Sequence, residues 1–168
     1  MTATMGDDLA SYLRSNPGAV IEDVARECAV TPRAVLEALP AEMVTITGGA
    51  DAFVTAMQDI AGWGEVTLIV HTEDGIFEIT APVSEGQIGH GYFNLMNPKG
   101  LHGHLRHARC GGVAFVERPF MGKPSAFVAF LNVDGGVMFK VFVGRDEYRA
   151  LKTDQLERFR ALARRIGS

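Results

Sequence analysis

Four of the chain's five histidines fall between His90 and His107, in the stretch GHGYFNLMNPKGLHGHLRHARC. Imidazole titrates near neutrality and ligates zinc, copper and iron, so such a cluster marks a candidate metal or proton-transfer site. His102 and His104 form an HxH pair, with His107 and Cys110 following. On a strand, positions 102 and 104 share a face; on a helix, 104 and 107 do. A zinc or iron site on His102, His104 and one further ligand is therefore a candidate. No CxxC pair, HExxH motif or carboxylate at a recognised spacing accompanies it.

Around these imidazoles the chain turns positive. Lys99, Arg106, Arg109, Arg118 and Lys123 stand against the single acid Glu117. A basic rim beside imidazoles, Tyr92 and Phe93 suits a flat apolar ligand bearing carboxylates. Cations would hold the carboxylates, aromatic rings would cover the face, and a His or Tyr would reach a metal. If GYFNLM is a strand, Tyr92 shares its face with His90 and Asn94, and Phe93 points the other way into a core. Cys110 is expected to stay out of any ligand set. The apolar GGVAF after it marks a buried strand start, where a thiolate is costly.

Other chemistries fit poorly. The chain has no GxSxG elbow, P-loop or GxGxxG after a strand, and neither cysteine sits in a recognisable nucleophile motif. A formal charge of −4 and a pI near 5.7 argue against coating nucleic acid or an anionic membrane through bulk charge. No apolar run approaches the roughly 20 residues that span a bilayer. The opening MTATMGDDLASYL has neither the basic nor the apolar region of a secretory signal. A chain of 168 residues with two cysteines needs no disulfide to fold, so a reduced, cytoplasmic protein is expected.

The elements that must position these residues divide by charge and period. Residues 1–60 hold nine acidic and three basic residues and read as helical. Asp7 or Asp8 would cap a helix carrying Leu9, Tyr12 and Leu13, ending at Asn16-Pro17-Gly18. A second helix holds Ile21, Val24, Ala25 and Cys28. A third has Thr31 as N-cap and Pro32 in its first turn, and a fourth runs from Asp51 to Ile60. IEDVARECAVTPRAVLEALP has the spacing of a helix-turn-helix. Its second helix offers only Arg33 against Glu37, in an acidic segment that phosphates would avoid, so DNA binding is not expected.

From Glu65 the period changes to two. EVTLIVH and IFEIT form a hairpin, and GYFNLM, GVAFVERPF, SAFVAFLNV and GVMFKVFVG are further strands, with Asp134-Gly135 turning between the last two. The tail returns to helical spacing with Leu156, Phe159, Leu162 and Ile166 on one stripe, opened by Asp146 and Glu147. The expected fold class is α+β: an N-terminal helical cap over residues 1–60, and an antiparallel sheet closed by a C-terminal helix over 61–168, as one compact unit. Strands this apolar need cover, and the cap is too small to supply all of it, so a two-fold dimer is expected.

The stretches GYFNLM, GHL at Gly103-His104-Leu105, CGGVAFVERPFMGKPSAFVAFLN and MFKVFVGRDEYR resemble the HutX/ChuX family of intracellular haem-utilisation proteins. FVERPFMG followed by MFKVFVGRD is the most specific pair. The resemblance implies a large antiparallel sheet similar to one half of HemS/ChuS-type proteins. It also implies a cytosolic homodimer that binds haem and passes it to a haem-degrading partner. The family's proposed haem contacts fall here on His71, which closes VTLIVH, on His104 of GHL, and on Tyr92. Tyr92 and His104 are then the candidate axial ligands, with His71 assisting from the same cleft and Arg106 and Arg109 reaching the propionates. His90 and His102 match no family motif. A carrier without chemistry of its own is the first expectation, and a haem-degrading or haem-reducing enzyme on the same fold is the alternative.

Overall fold

The computed structural model describes residues 5–167, the side chains of Met5 and Asp7 excepted. Three helices come first: α1 (Met5–Ser15), α2 (Ile21–Glu27) and α3 (Pro32–Glu37). α1 begins before either expected cap, so Asp7 and Asp8 lie inside its first turn. Thr31 does cap α3: its hydroxyl accepts the Ala34 amide at 3.2 Å, with Pro32 following where no amide is needed.

A short strand absent from the sequence reading, β1 (Val44–Thr47), precedes α4 (Gly49–Ile60). Then follow β2 (Glu65–Thr72), β3 (Gly75–Pro82), β4 (Gly86–Gly89), β5 (Tyr92–Leu95), β6 (Gly103–Leu105) and a single 3-10 turn at His107–Arg109. The chain closes with β7 (Cys110–Phe120), β8 (Lys123–Asn132), β9 (Val137–Phe142) and α5 (Thr153–Ile166). Asp146 and Glu147 do not open α5. The Asp146 carboxylate instead accepts the amides of Tyr148 and Ala150 in the loop before it, an Asx turn that competes with helix.

Six strands form one antiparallel sheet in the order β1-β7-β8-β9-β2-β3. β7 and β8 read as near-continuous apolar runs because both their faces are covered. On one face Ala114, Val116, Phe127, Ala129 and Leu131 pack against Leu9, Leu13, Val24, Val35 and Leu36 of the cap. On the other, Val113, Phe115, Val128 and Phe130 pack against Phe53, Met57 and Ile60 of α4 and Phe159 and Leu162 of α5. The Phe53 ring is central there, edge-on to Phe130, Phe139 and Phe93 at 5.1, 6.0 and 5.7 Å.

GYFNLM does not join the large sheet. It forms a separate three-stranded sheet, β4-β5-β6, that packs through Phe93 and Leu95 on the α4 side. His90 and Gly91, with φ of 53° and 83°, make the two-residue turn between β4 and β5. His90 is thus a turn residue and shares no strand face with Tyr92.

Candidate functional site

The alternation of β2 sends Val66, Leu68 and Val70 toward α4 and α5, and Thr67, Ile69 and His71 toward the cap side. The cap covers the middle of the sheet and touches β9 through Val137 and Phe142, but leaves most of β2 and β3 open on this side. A cleft of about 640 Å³ opens there. Its floor is a cross-strand register: His71 opposite Ile76, Ile69 between Glu78 and Lys140, and Phe142 between Thr67 and Phe127. Phe127 and Phe142 lie with ring centroids 4.9 Å apart. The rim adds Arg118, Lys123, Arg145 and Arg149, with Phe120 and Met121 at the β7–β8 turn.

Five cationic side chains therefore line the cleft, against the lining acid Glu78 and the Glu22 carboxylate that meets Lys140 at its floor. Arg118 is buried and donates to the carbonyls of Pro17 and Ala19 at 2.6 and 2.7 Å, so it ties β7 to the loop between α1 and α2. Burial holds its guanidinium below the ordinary arginine range. Lys140 reaches the Glu22 carboxylate of α2 at 2.8 Å and sits over the Phe127 ring at 5.4 Å. Arg145 is held by the carbonyls of Pro124 and Arg149. Lys123 and Arg149 make no ion pair among the described residues.

A second cluster lies on the small sheet. β5 and β6 set Asn94 opposite His104, and Asn94 Oδ1 meets His104 Nδ1 at 2.6 Å. The Tyr92 and His104 rings stand edge to face at 5.8 Å. The Arg106 guanidinium donates to the Tyr92 hydroxyl at 3.4 Å and lies 5.5 Å from its ring. A phenol, an imidazole and a guanidinium share one exposed face, backed by Phe93 in the core.

Tyr92, His104 and Arg106 thus come together as expected, but His71 and Arg109 do not join them. His71 lies on the cap side of the large sheet and the small sheet packs on the other, so within one chain they do not share a cleft. Arg109 is paired with Asp134 at 2.7 Å. The expected basic rim also divides: Arg118 and Lys123 belong to the His71 cleft, and Glu117 pairs with Arg160. The HxH metal site is not assembled. His102 Nδ1 is 3.0 Å from the Gly100 carbonyl, and no group of three or more His, Cys, Asp or Glu side chains stands ready for a metal among the described residues. Cys110 is buried, and burial pushes its thiol up, which keeps it protonated and out of ligand chemistry. Arg33, the one cation of the second helix of the helix-turn-helix segment, is engaged by Glu37 and by the Gly111 carbonyl.

Sequence reasoning missed Glu22, Lys140, Arg145 and Arg149. The signal for Lys140 was present: a lone cation inside VMFKVFV must face either a partner or a ligand.

Residues 46–162 match the family described as Haem utilisation ChuX/HutX. The chain is 37% identical to the intracellular heme transport protein HutX of Vibrio cholerae serotype O1, over 95% of this chain and 82% of that one. A crystal structure of a protein from Erwinia carotovora is 44% identical, with a TM-score of 0.88 over 98% of this chain and 99% of that one. The heme-binding protein ChuX is 36% identical, with a TM-score of 0.86 over 95% and 99%. The heme-degrading enzyme ChuS of Escherichia coli O157:H7 is 12% identical. There 90% of this chain overlays 47% of that one with a TM-score of 0.73, a likeness of fold alone. Among the described residues no helix is long and apolar enough to cross a membrane.

Proposed function

This chain belongs to the ChuX/HutX haem-utilisation family, and on that premise we propose that it is a cytoplasmic haem carrier, which binds haem intact and passes it to a haem-degrading partner. The observation that carries this reading is the cleft beside His71. Its volume lies in the range of small-ligand sites, its floor is apolar and aromatic, and its rim is cationic. Haem is an apolar disc with two carboxylates and an iron that accepts imidazole, so the residues present fit it. His71 would hold the iron, and Lys123, Arg145 and Arg149 would hold the propionates through charge-assisted hydrogen bonds. A carrier needs the haem held in this way and nothing further from it.

A second reading places the iron on Tyr92 or His104 of the small sheet, with Arg106 at a propionate. It is favoured by the direct contact of Tyr92 with both His104 and Arg106. A phenolate there would select ferric iron. In both readings the carrier is a homodimer. The edge strand β3 leaves Ile76 and Phe77 56% and 67% exposed, an apolar edge that a second chain would cover by two-fold symmetry.

Titration with ferric haem, followed by size exclusion, tests the proposal. A dimer gaining one haem per chain with a shifted haem absorption band is expected; an unchanged spectrum overturns it. His71→Ala should release the haem in the first reading, and Tyr92→Phe with His104→Ala in the second. Adding a reductant and oxygen to the complex should leave the haem spectrum intact. Its loss with stoichiometric product would make the protein an enzyme.

A further inference from the structure

Glu22 stands in the first turn of α2, on the cap, and reaches down to the floor of the cleft. Its carboxylate lies 2.8 Å from Lys140 Nζ and 3.5 Å from His71 Nδ1. Lys140 pairs across the sheet with Ile69, two residues before His71 on the same strand face, so one carboxylate spans both side chains. The three side chains are only 13%, 13% and 8% exposed for Glu22, His71 and Lys140. A neutral imidazole whose Nδ1 faces a carboxylate carries its proton on that nitrogen. The lone pair then sits on Nε2, which has no hydrogen-bond partner among the described residues, on a ring that lines the cleft.

We propose that Glu22 is the positioning residue of the cleft: it fixes the tautomer and orientation of His71 so that Nε2 is the electron-pair donor offered to a ligand's metal. Lys140, 2.8 Å away, holds the Glu22 carboxylate in place from the neighbouring strand. The inference rests on the reading that haem occupies this cleft. It assigns the cap a function beyond cover, because the side chain that orients the ligating imidazole comes from the cap and not from the sheet that carries it.

The test compares wild type, Glu22→Gln, Glu22→Asp and His71→Ala, each loaded with haem. Two readouts are used: the rate of haem transfer to a high-affinity scavenger, and the iron–histidine vibration of the ferrous complex. A partner of this kind is worth roughly 10–100-fold in metal affinity. Glu22→Gln should therefore lose haem at least about tenfold faster with a shifted vibration, and Glu22→Asp should restore part of both. Glu22→Gln/Lys140→Met, which removes the unmatched ammonium, should show the same two changes and guards against a folding defect. Should Glu22→Gln match wild type in both readouts while His71→Ala loses the haem, the inference fails and the carrier reading stands. Should His71→Ala itself match wild type, the haem does not sit in this cleft, and the inference falls together with the first reading of the site.

Discussion

Replacing Arg118 by methionine isolates the link between the cap and the sheet. The guanidinium is buried, and its bonds to Pro17 and Ala19 are the charge-assisted kind, each worth about 1.5–3 kcal/mol. Methionine keeps most of the stem's packing but strands two carbonyls, for a gross loss of about 3–6 kcal/mol. It also removes the desolvation that lowers the arginine's basicity, which returns part of that loss. A net destabilisation of about 3 kcal/mol remains, and for a chain of this size that is a fall of roughly 6–12 °C in Tm. Thermal unfolding followed by circular dichroism reads it directly. Limited proteolysis reads its location, because the loop through Pro17 and Ala19 should be cut faster than any other. Arg118→Lys should recover little, since a single ammonium of shorter reach cannot form the same fork. A variant that melts within 2 °C of wild type, with unchanged cleavage of that loop, would refute the assignment.

Three further outcomes are expected. Gly86→Ala places a methyl into the ring of fully buried Phe93 and should cost about 1–3 kcal/mol by overpacking, read by chemical denaturation; an unchanged midpoint would mean the small sheet can shift freely. Cys110, raised by burial, is protonated in the fold, so its contribution is complete below the ordinary thiol value and is lost as pH rises through the raised one. A thiol reagent should accordingly label half-buried Cys28 first, and Cys110 only on unfolding, even at mildly alkaline pH. Glu117→Gln breaks an exposed pair with Arg160 and should cost no more than about 1 kcal/mol, with the small effect vanishing in high salt; a larger loss by urea unfolding would show that the pair is shielded from solvent.

Much of this architecture is legible in local pattern. Thr31-Pro32 announces α3, the period of two from Glu65 announces the sheet, and the stripe Leu156–Phe159–Leu162 announces α5. What escaped depends on distant partners. β1 is four residues long and becomes a strand only because β7 lies beside it. Asp146-Glu147 looks like a helix start, but the Asp146 carboxylate turns back onto its own loop. The site divided for the same reason. Closeness in sequence put Arg106, Arg109 and Arg118 in one basic rim, whereas strand alternation and the two sheets send them to three surroundings. Glu22 and Lys140, far apart in sequence, meet on the cleft floor. Period-two spacing does show that Thr67, Ile69 and His71 share a face, but not which layer of the protein that face meets.

The strand order has a consequence for how the chain is made. The middle of the sheet, β7-β8-β9, is a run of consecutive hairpins near the C-terminus, while the strands flanking it, β1 and β2, are synthesised much earlier. Val44 must wait for Val116, and Ile69 for Lys140. Local hairpins close first and distant pairings close late, because each long loop must lose its freedom before any contact rewards it. On a ribosome the cap and the β2-β3 hairpin therefore emerge with no sheet to dock on, their apolar faces wet until the last third of the chain arrives. The final third templates the first. Mutations in β7 and β8 should slow folding itself, while those in β1, whose pairing closes late, should chiefly hasten unfolding.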